Sequence, residues 1–166
     1  EPEMDWNITL VDTGLDTMTG GRIKRLKDYL GEDDFLLTYG DGVANVDVKA
    51  TIEFHNKCGK LVTMTAVRPT ARFGELDINN NLVESFEEKP QLHQGWINGG
   101  FFVCQPDVLS HIRGDHEMFE REPLQRIIEH SGMAAYKHEG FWQCMDSKRD
   151  HEKLNEVWDS GLAPWV

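Results

Sequence analysis

Cysteine is scarce in this chain, and its scarcity excludes two common kinds of site. The 166 residues include three cysteines, at Cys58, Cys104 and Cys144. They are too few and too scattered for a disulfide framework or a Cys-x-x-Cys metal site. Three scattered cysteines are typical of a reducing compartment, so we expect a cytoplasmic protein.

Positive charge and long apolar runs are also lacking. There are 17 Lys and Arg against 29 Asp and Glu, a formal net charge of -12, so we expect neither nucleic acid nor a membrane surface as a partner. No apolar run approaches the ~18 residues that a spanning helix needs. No Ser/His/Asp or Cys/His pattern suggests a protein nucleophile. A small phosphorylated ligand can still bind through Arg, Lys and backbone amides.

Strand and helix patterns alternate along the first half of the chain. Runs of β-favouring residues at 6–12, 35–39 and 61–67 are separated by helical patterns at 17–30 and 47–58. This order predicts an α/β fold with a parallel sheet and right-handed crossovers. The length fits one domain with a sizeable core.

The second half of the chain shows a different pattern of predicted elements. Residues 73–86 look like a hairpin around three asparagines, and residues 96–104 like a strand that Asn98-Gly99-Gly100 interrupts with a bulge or a close backbone approach. Further strands are predicted at 133–138 and 141–146, and Ser147 begins a last helix with a capping box.

Asp41 is the first candidate for function. It stands in a Gly-Asp-Gly turn after the predicted strand Phe35–Tyr39, at the end where open α/β sheets bind ligands. Asp146 ends another predicted strand in the same way. If the sheet brings these ends together, the two carboxylates could share one Mg²⁺, which usually takes one or two carboxylates plus substrate phosphates. The alternative for Asp41 is a turn aspartate that hydrogen-bonds its own backbone.

Three weaker candidates have common structural explanations. The hydroxyls, glycines and arginine of 17–22 suggest an anion cradle at a helix start, but an ordinary Thr N-cap with a solvated arginine is commoner. Glu87-Glu88-Lys89-Pro90 suits a polyhydroxyl phosphate, although a solvated charge cluster at a turn is commoner. His55, on the apolar face of its helix, is expected to be a core histidine.

Several short motifs occur in a specific order. Together they resemble the bacterial sugar nucleotidyltransferases, and the Met-Thr-Gly-Gly-Arg and Gly-Phe-Trp-Gln motifs favour the cytidylyl branch of that family. The motifs, in chain order, lie at 6–14, 18–22, 38–44, 88–90, 97–103, 140–143 with 145–146, and 163–165.

The resemblance implies a Rossmann-like nucleotide-diphospho-sugar transferase fold, with a mixed, mostly parallel sheet flanked by helices. It implies a Mg²⁺-dependent reaction of CTP with α-D-glucose 1-phosphate that gives CDP-glucose and pyrophosphate, in O-antigen and dideoxysugar biosynthesis. It also implies a homo-oligomer when the protein is complete. A thymidylyl or uridylyl transferase, a metal-dependent glycosyltransferase and a non-catalytic sugar-phosphate-binding module remain as alternatives.

The same resemblance implies roles for individual residues. Asp41 and Asp146 become the Mg²⁺ ligands and, with Lys89, the catalytic residues. Thr17, Arg22 and Gly40 fall in the nucleotide site. The residues that correspond to contacts with the sugar and its phosphate are Glu88, Lys89, Asn98 and Gly99.

One part of the family pattern is missing. The family begins with a Gly-rich phosphate loop that carries an arginine, followed by a Lys-Pro stretch, and neither occurs here. We therefore expect residues 1–166 to be the C-terminal part of a single, N-terminally truncated nucleotidyltransferase domain. We also expect this chain alone to be weakly active or inactive.

Overall fold

The computed structural model describes residues 6–69, 75–79, 81–87 and 95–166. The chain divides into two compact units. One unit joins the chain up to Phe35 with Gln105–Gly132, and the other joins Leu36–Cys104 with Met133–Val166.

The elements of the described residues follow in chain order. The helices are α1 (Thr19–Arg25), α2 (Lys27–Leu30), α3 (Val48–Cys58), a 3₁₀ helix (Pro106–His111), α4 (Glu122–Glu129) and α5 (Lys148–Asp159). The strands are β1 (Phe35–Thr38), β2 (Gly42–Ala44), β3 (Val62–Val67), β4 (Glu75–Asn79), β5 (Leu82–Glu87), β6 (Ile97–Cys104), β7 (Met133–His138) and β8 (Trp142–Cys144).

A four-stranded sheet forms the centre of the second unit, in the order β1-β6-β3-β7. Strand β3 pairs antiparallel with β6 and parallel with β7. The sheet is therefore mixed, which confirms the α/β class. The mixed sheet agrees with the fold that the resemblance implies, and the strand–helix alternation of the first half, which ends at β3, made no prediction for β6.

Helix α3 covers one face of this sheet. The ring of Phe54 meets that of Tyr136 edge-on at 5.5 Å. His55 is 1% exposed, and its Nδ1 lies 2.8 Å from the hydroxyl of Thr63, which confirms it as a core histidine. The expected cap is also present, because the side chain of Asp47 accepts a hydrogen bond from the amide of Ala50.

Two smaller ladders complete the second unit. Strands β4 and β5 form the expected antiparallel hairpin, and its turn includes Asn81 at a φ of 69°, a conformation that asparagine tolerates better than most residues. Strands β2 and β8 form a short antiparallel pair. Ser147 and Asp150 make the predicted capping box at the start of α5.

The first unit packs α1 against the segment 115–119. A Cβ on Gly21 would lie 2.5 Å from the Cα of Asp115, and one on Gly20 would lie 2.8 Å from the carbonyl oxygen of Glu117. Only residues without side chains allow this approach. The core of the unit is apolar and includes Val108, Ile112, Phe119 and Ile127.

Two local predictions are wrong. Residues 6–12 are not a strand: Ile8 is 75% and Leu10 93% exposed, and β-favouring side chains make a strand only where a neighbour takes up the backbone hydrogen bonds. The ordinary Thr N-cap expected in 17–22 is not present either, because α1 begins at Thr19 and its N-cap residue is Met18, whose side chain makes no cap hydrogen bond. Among the described helices, none is long and apolar enough to cross a membrane.

Candidate functional site

The ladder of β2 and β8 brings the two candidate aspartates to one place. Gly42 pairs with Cys144, and the amide of Met145 donates to the carbonyl oxygen of Asp41 at 2.9 Å. The backbone of Asp41 therefore faces the residue that precedes Asp146. Both aspartates are exposed to solvent. The convergence of two strand ends that the sequence suggested is present in the backbone.

The donor chemistry of this pair fits Mg²⁺. The described residues contain no group of three or more His, Cys, Asp or Glu side chains that could hold a metal ion, so a closed protein cage of the kind that binds Zn²⁺ is not found among them. Two exposed carboxylates leave most of an octahedral shell to water and phosphate oxygens, as Mg²⁺ sites usually do. The assignment of Asp41 and Asp146 as ligands stays a prediction.

The turn before Asp41 borders open space. Among the described residues, no atom beyond the chain neighbours of Gly40 lies within 4 Å of the position that its Cβ would take. A ligand can therefore approach the backbone at Gly40 closely. Its predicted place in the nucleotide site agrees with this geometry and is not tested by it.

A bulge in β6 forms next to this turn. Phe102 pairs with Met64 and Asn98 with Ala66, so β6 carries extra residues between these pairs. The Asn98 side chain accepts from the amide of Gly100 at 2.8 Å and donates to the hydroxyl of Tyr39 at 2.9 Å. The interruption expected from Asn-Gly-Gly is confirmed, and the side chain of Asn98 is held in place at both ends.

Both glycines of the bulge make close contacts. Gly100 has a φ of 80°, and a Cβ there would lie 2.8 Å from the ring of Tyr39. A Cβ on Gly99 would lie 2.8 Å from a methyl group of Val67. The carbonyl of Gly99 accepts from the indole nitrogen of Trp142 at 2.8 Å. These contacts fix the backbone that the sequence analysis predicts to hold a sugar.

Sequence reasoning did not single out Tyr39 or Trp142 as site residues. Trp142 lies in the same motif as Asp146 and Tyr39 directly precedes the Gly-Asp-Gly turn, which was the available signal. Their partners on β6 are 43 and 59 residues away in the chain, so no local pattern reveals them.

Thr17 and Arg22 belong to the other unit. Thr17 is 7% exposed. The guanidinium of Arg22 donates to the hydroxyl of Thr13 at 2.6 Å and to the carbonyl of Leu15 at 3.3 Å, so it shapes the preceding loop and is not simply solvated. Their role in a nucleotide site stays a prediction.

The anion cradle at this helix start is occupied in part by the chain itself. The amide of Met18 donates to the carbonyl of Asp115 at 2.8 Å, and that of Gly20 donates to the carbonyl of Glu117 at 3.0 Å. These amides are therefore not available to a phosphate. Glu88 and Lys89, the remaining predicted residues, lie outside the described residues.

Comparison with known proteins identifies relatives along nearly the whole chain. A family model described as nucleotidyl transferase matches residues 6–151. The glucose-1-phosphate cytidylyltransferase of Salmonella typhimurium is 51% identical over 161 residues, which cover 96% of this chain and 63% of the relative. A probable glucose-1-phosphate cytidylyltransferase of Bacillus subtilis is 40% identical, covering 99% of this chain and 65% of the relative. The chain thus spans just under two thirds of the length of these relatives.

Solved structures show the same relationship. HddC from Yersinia pseudotuberculosis matches with a TM-score of 0.64 at 25% identity, over 86% of this chain and 63% of HddC. The family match and the mixed sheet flanked by helices confirm the resemblance drawn from the motifs. This chain belongs to the nucleotidyl transferase family.

Proposed function

We propose that this chain belongs to an enzyme that makes CDP-glucose and pyrophosphate from CTP and α-D-glucose 1-phosphate with Mg²⁺. The observation that carries the proposal is the hydrogen bond from Met145 to Asp41, which brings two exposed aspartates together. The names of the Salmonella and Bacillus relatives support the choice of substrates.

The reaction is an in-line displacement. An oxygen of the sugar phosphate attacks the α-phosphorus of CTP, a new phosphorus–oxygen bond forms, and the bond to the β-phosphate breaks as pyrophosphate leaves. Both reactants are anions, so the site must align them and compensate their charge. Alignment can contribute ~7–11 kcal/mol, so no protein nucleophile is required.

The residues of the second unit divide this work. Asp41 and Asp146 would hold Mg²⁺, which when bound supplies a Lewis acid and a template for the phosphates. Asn98, fixed by Tyr39 and Gly100, would contact the sugar hydroxyls. The sugar and its phosphate would be contacted by Glu88, Lys89 and Gly99. The nucleotide would be contacted by Thr17, Arg22 and Gly40.

The test of the metal assignment is a pair of conservative variants. In Asp41→Asn and Asp146→Asn, we expect loss of Mg²⁺-dependent CTP binding, measured by calorimetry, because each change removes one anionic ligand. Asp28→Asn, which changes an exposed aspartate of α2, is the control for charge alone and should bind as the unchanged protein does. Circular dichroism checks folding. Mg²⁺-dependent binding that survives both site variants would reject the assignment.

The test of the reaction is pyrophosphate release by the complete enzyme, because residues 1–166 alone are expected to be weakly active or inactive. Each nucleoside triphosphate is offered with glucose 1-phosphate, with Mg²⁺ and with excess EDTA. We expect CTP to be preferred and EDTA to abolish release. Equal release from CTP in EDTA would refute the metal dependence, and a preference for another triphosphate would refute the cytidylyl assignment.

The second candidate function is a sugar nucleotidyltransferase that uses a different nucleotide base, and one observation favours it. HddC has also been solved in complex with GMP-PN, so a related fold accommodates a guanosine nucleotide, and the choice of base varies between relatives. A thymidylyl or uridylyl transferase would use the same paired aspartates with a different base pocket. The comparison of nucleoside triphosphates in the pyrophosphate-release assay separates these possibilities directly.

The wider context is proposed on the resemblance alone. The product would feed O-antigen and dideoxysugar biosynthesis in the cytoplasm, and the complete enzyme would be a homo-oligomer.

A further inference from the structure

The backbone around Asp146 is held on both sides. Asp146 lies in the connection 145–147 between β8 and α5. On its strand side, the amide of Met145 donates to the carbonyl oxygen of Asp41 at 2.9 Å. On its helix side, the amide of Ser147 donates to Oδ2 of Asp150 at 3.1 Å. The place of Asp146 beside Asp41 therefore depends on two hydrogen bonds, one of them accepted by a side chain in the first turn of α5.

The carboxylate of Asp150 also makes a contact that a capping box does not require. The box uses Oδ2, which accepts from the amide and the hydroxyl of Ser147, and the amide of Asp150, which donates to that hydroxyl at 3.3 Å. These bonds satisfy the helix start by themselves. The other carboxylate oxygen, Oδ1, accepts from the side-chain amide of Gln143 on β8 at 3.3 Å. Asp150 therefore joins the strand before Asp146 to the helix after it.

Gln143 is itself held in the orientation that this bond needs. Its Nε2 also donates to the carbonyl of Cys144 at 2.9 Å, and its Oε1 accepts from the ammonium group of Lys153 at 3.1 Å. An ammonium group only donates and an ionised carboxylate only accepts, so this orientation of the amide satisfies both Lys153 and Asp150. Two residues of α5 thus contact the two ends of one amide group on β8.

The link bears on any cation that needs both aspartates. Asp41 and Asp146 carry like charges, which repel each other when they are brought to one place. Hydrogen bonds that hold the ligands of a metal ion in place strengthen its binding, and loss of such a partner typically weakens binding ~10–100-fold.

We propose that Asp150, oriented by Gln143, is a positioning residue that holds Asp146 beside Asp41 for the divalent cation. The identity of this cation as Mg²⁺ rests on the proposed function, whereas the link from Gln143 through Asp150 to Ser147 is observed in the structure. Neither Asp150 nor Gln143 is proposed as a ligand of the cation. Both act through the backbone of the connection 145–147.

The experiment compares variants of the 166-residue chain. Gln143→Met removes the donor to Asp150 and leaves the capping box in place, whereas Asp150→Asn removes one charge and one of the two acceptor oxygens. The double variant completes a double-mutant cycle. Glu152→Gln is the matched control, because it removes one charge from an exposed position of the same helix. Thermal melts establish that the variants are folded.

Two measurements are made on each variant. The affinity for Mn²⁺, which prefers the same oxygen ligands as Mg²⁺, is measured by electron paramagnetic resonance of the free ion, with Mg²⁺ as competitor. Hydrogen exchange of the Met145 amide, measured without metal, reports the bond to Asp41. Exchange of the Leu154 amide reports the stability of α5 itself, which a purely structural role of the link would change.

We expect one Mn²⁺ site that Mg²⁺ displaces and that Asp146→Asn removes. Gln143→Met and Asp150→Asn should each weaken it about tenfold, whereas Glu152→Gln should change it less than about twofold. Because both variants break the same link, the double variant should bind no more weakly than the weaker single variant. In Gln143→Met, exchange of Met145 should become faster while that of Leu154 stays the same.

Three metal-binding results would overturn the inference: an unchanged Mn²⁺ affinity in both link variants, an equal effect of Glu152→Gln, or additive effects in the double variant. Unchanged exchange of Met145 in both link variants would overturn it whatever the metal result. Each of these failures leaves the proposed function intact as long as Asp146→Asn removes the site. No Mn²⁺ site, or one that survives Asp146→Asn, would instead remove the metal assignment of the proposed function and this inference with it.

Discussion

The carboxylate of Glu117 organises the segment that packs on α1, and we predict how much its removal lowers the free energy of unfolding. Glu117 is 6% exposed. Its Oε2 accepts from the amide of Arg113 at 2.8 Å and from the guanidinium of Arg126 at 2.6 Å, while its carbonyl accepts from the amide of Gly20. Burial acts to raise the pKa of Glu117, but the two hydrogen bonds and the positive charge of Arg126 outweigh burial and hold the pKa below its usual value.

Two substitutions separate the charge from the hydrogen bonds. Both bonds reach the same oxygen, so Glu117→Gln can keep them and lose only the charge, for which we expect a loss of about 1–2 kcal/mol in the free energy of unfolding. Glu117→Ala removes both bonds, and the Arg126 guanidinium then keeps its hydrogen bond to the carbonyl of His111 but loses its anionic partner. Breaking a buried ion pair costs ~3–5 kcal/mol, and because the Arg126 side chain is 19% exposed we expect about 3 kcal/mol.

The assay is urea unfolding at several pH values. Because the pKa of Glu117 is lower in the folded state, the stabilisation is complete above the unfolded pKa of about 4.5 and is lost as the pH falls through the folded pKa. The difference in the free energy of unfolding between the unchanged protein and Glu117→Gln should therefore decrease as the pH is lowered. Glu152→Gln, which breaks the exposed pair with Lys148, should cost less than about 0.5 kcal/mol. A Glu117→Gln effect no larger than this control at pH 7, or a gap independent of pH, would refute the reasoning.

Two further predictions concern close packing. Gly21→Ala gains about 1 kcal/mol of helix propensity, but its Cβ would lie 2.5 Å from the backbone of Asp115, and overpacking costs ~1–3 kcal/mol. We expect a net loss of about 1–2 kcal/mol in urea unfolding, whereas Gly40→Ala, with open space at its Cβ, should be nearly neutral; equal effects would contradict the packing argument. Trp142→Phe removes the donor to the carbonyl of Gly99 and should lower the free energy of unfolding by about 1 kcal/mol, and an unchanged value would show that this bond contributes little.

Features that depend on neighbours in the chain were predictable. The cap at Asp47 and the capping box of Ser147 with Asp150 connect residues three apart, so the residue types are sufficient to identify them. The hairpin of β4 and β5, with Asn81 in its turn, and the bulge at Asn98-Gly99-Gly100 follow from local sequence too, because asparagine and glycine adopt backbone conformations that other residues avoid.

Features that depend on distant partners were not predictable from the sequence. Residues 6–12 have the composition of a strand and remain irregular, and the antiparallel pairing of β6 with β3 joins two segments that no local pattern relates. In the first unit, Thr17 is buried instead of capping a helix, and Arg22 donates to the hydroxyl of Thr13 instead of facing solvent.

The sequence by itself determined the family and the identity of the candidate residues, since these are properties of ordered motifs. Only the tertiary structure decided that Asp41 faces Met145, that Trp142 binds the Gly99 carbonyl, and that Arg68 and Lys137 meet at Trp96. Each of these contacts joins segments that are far apart in the chain. Their formation depends on strand order and register, which hydrogen bonding and burial across the whole sheet select and no single segment encodes.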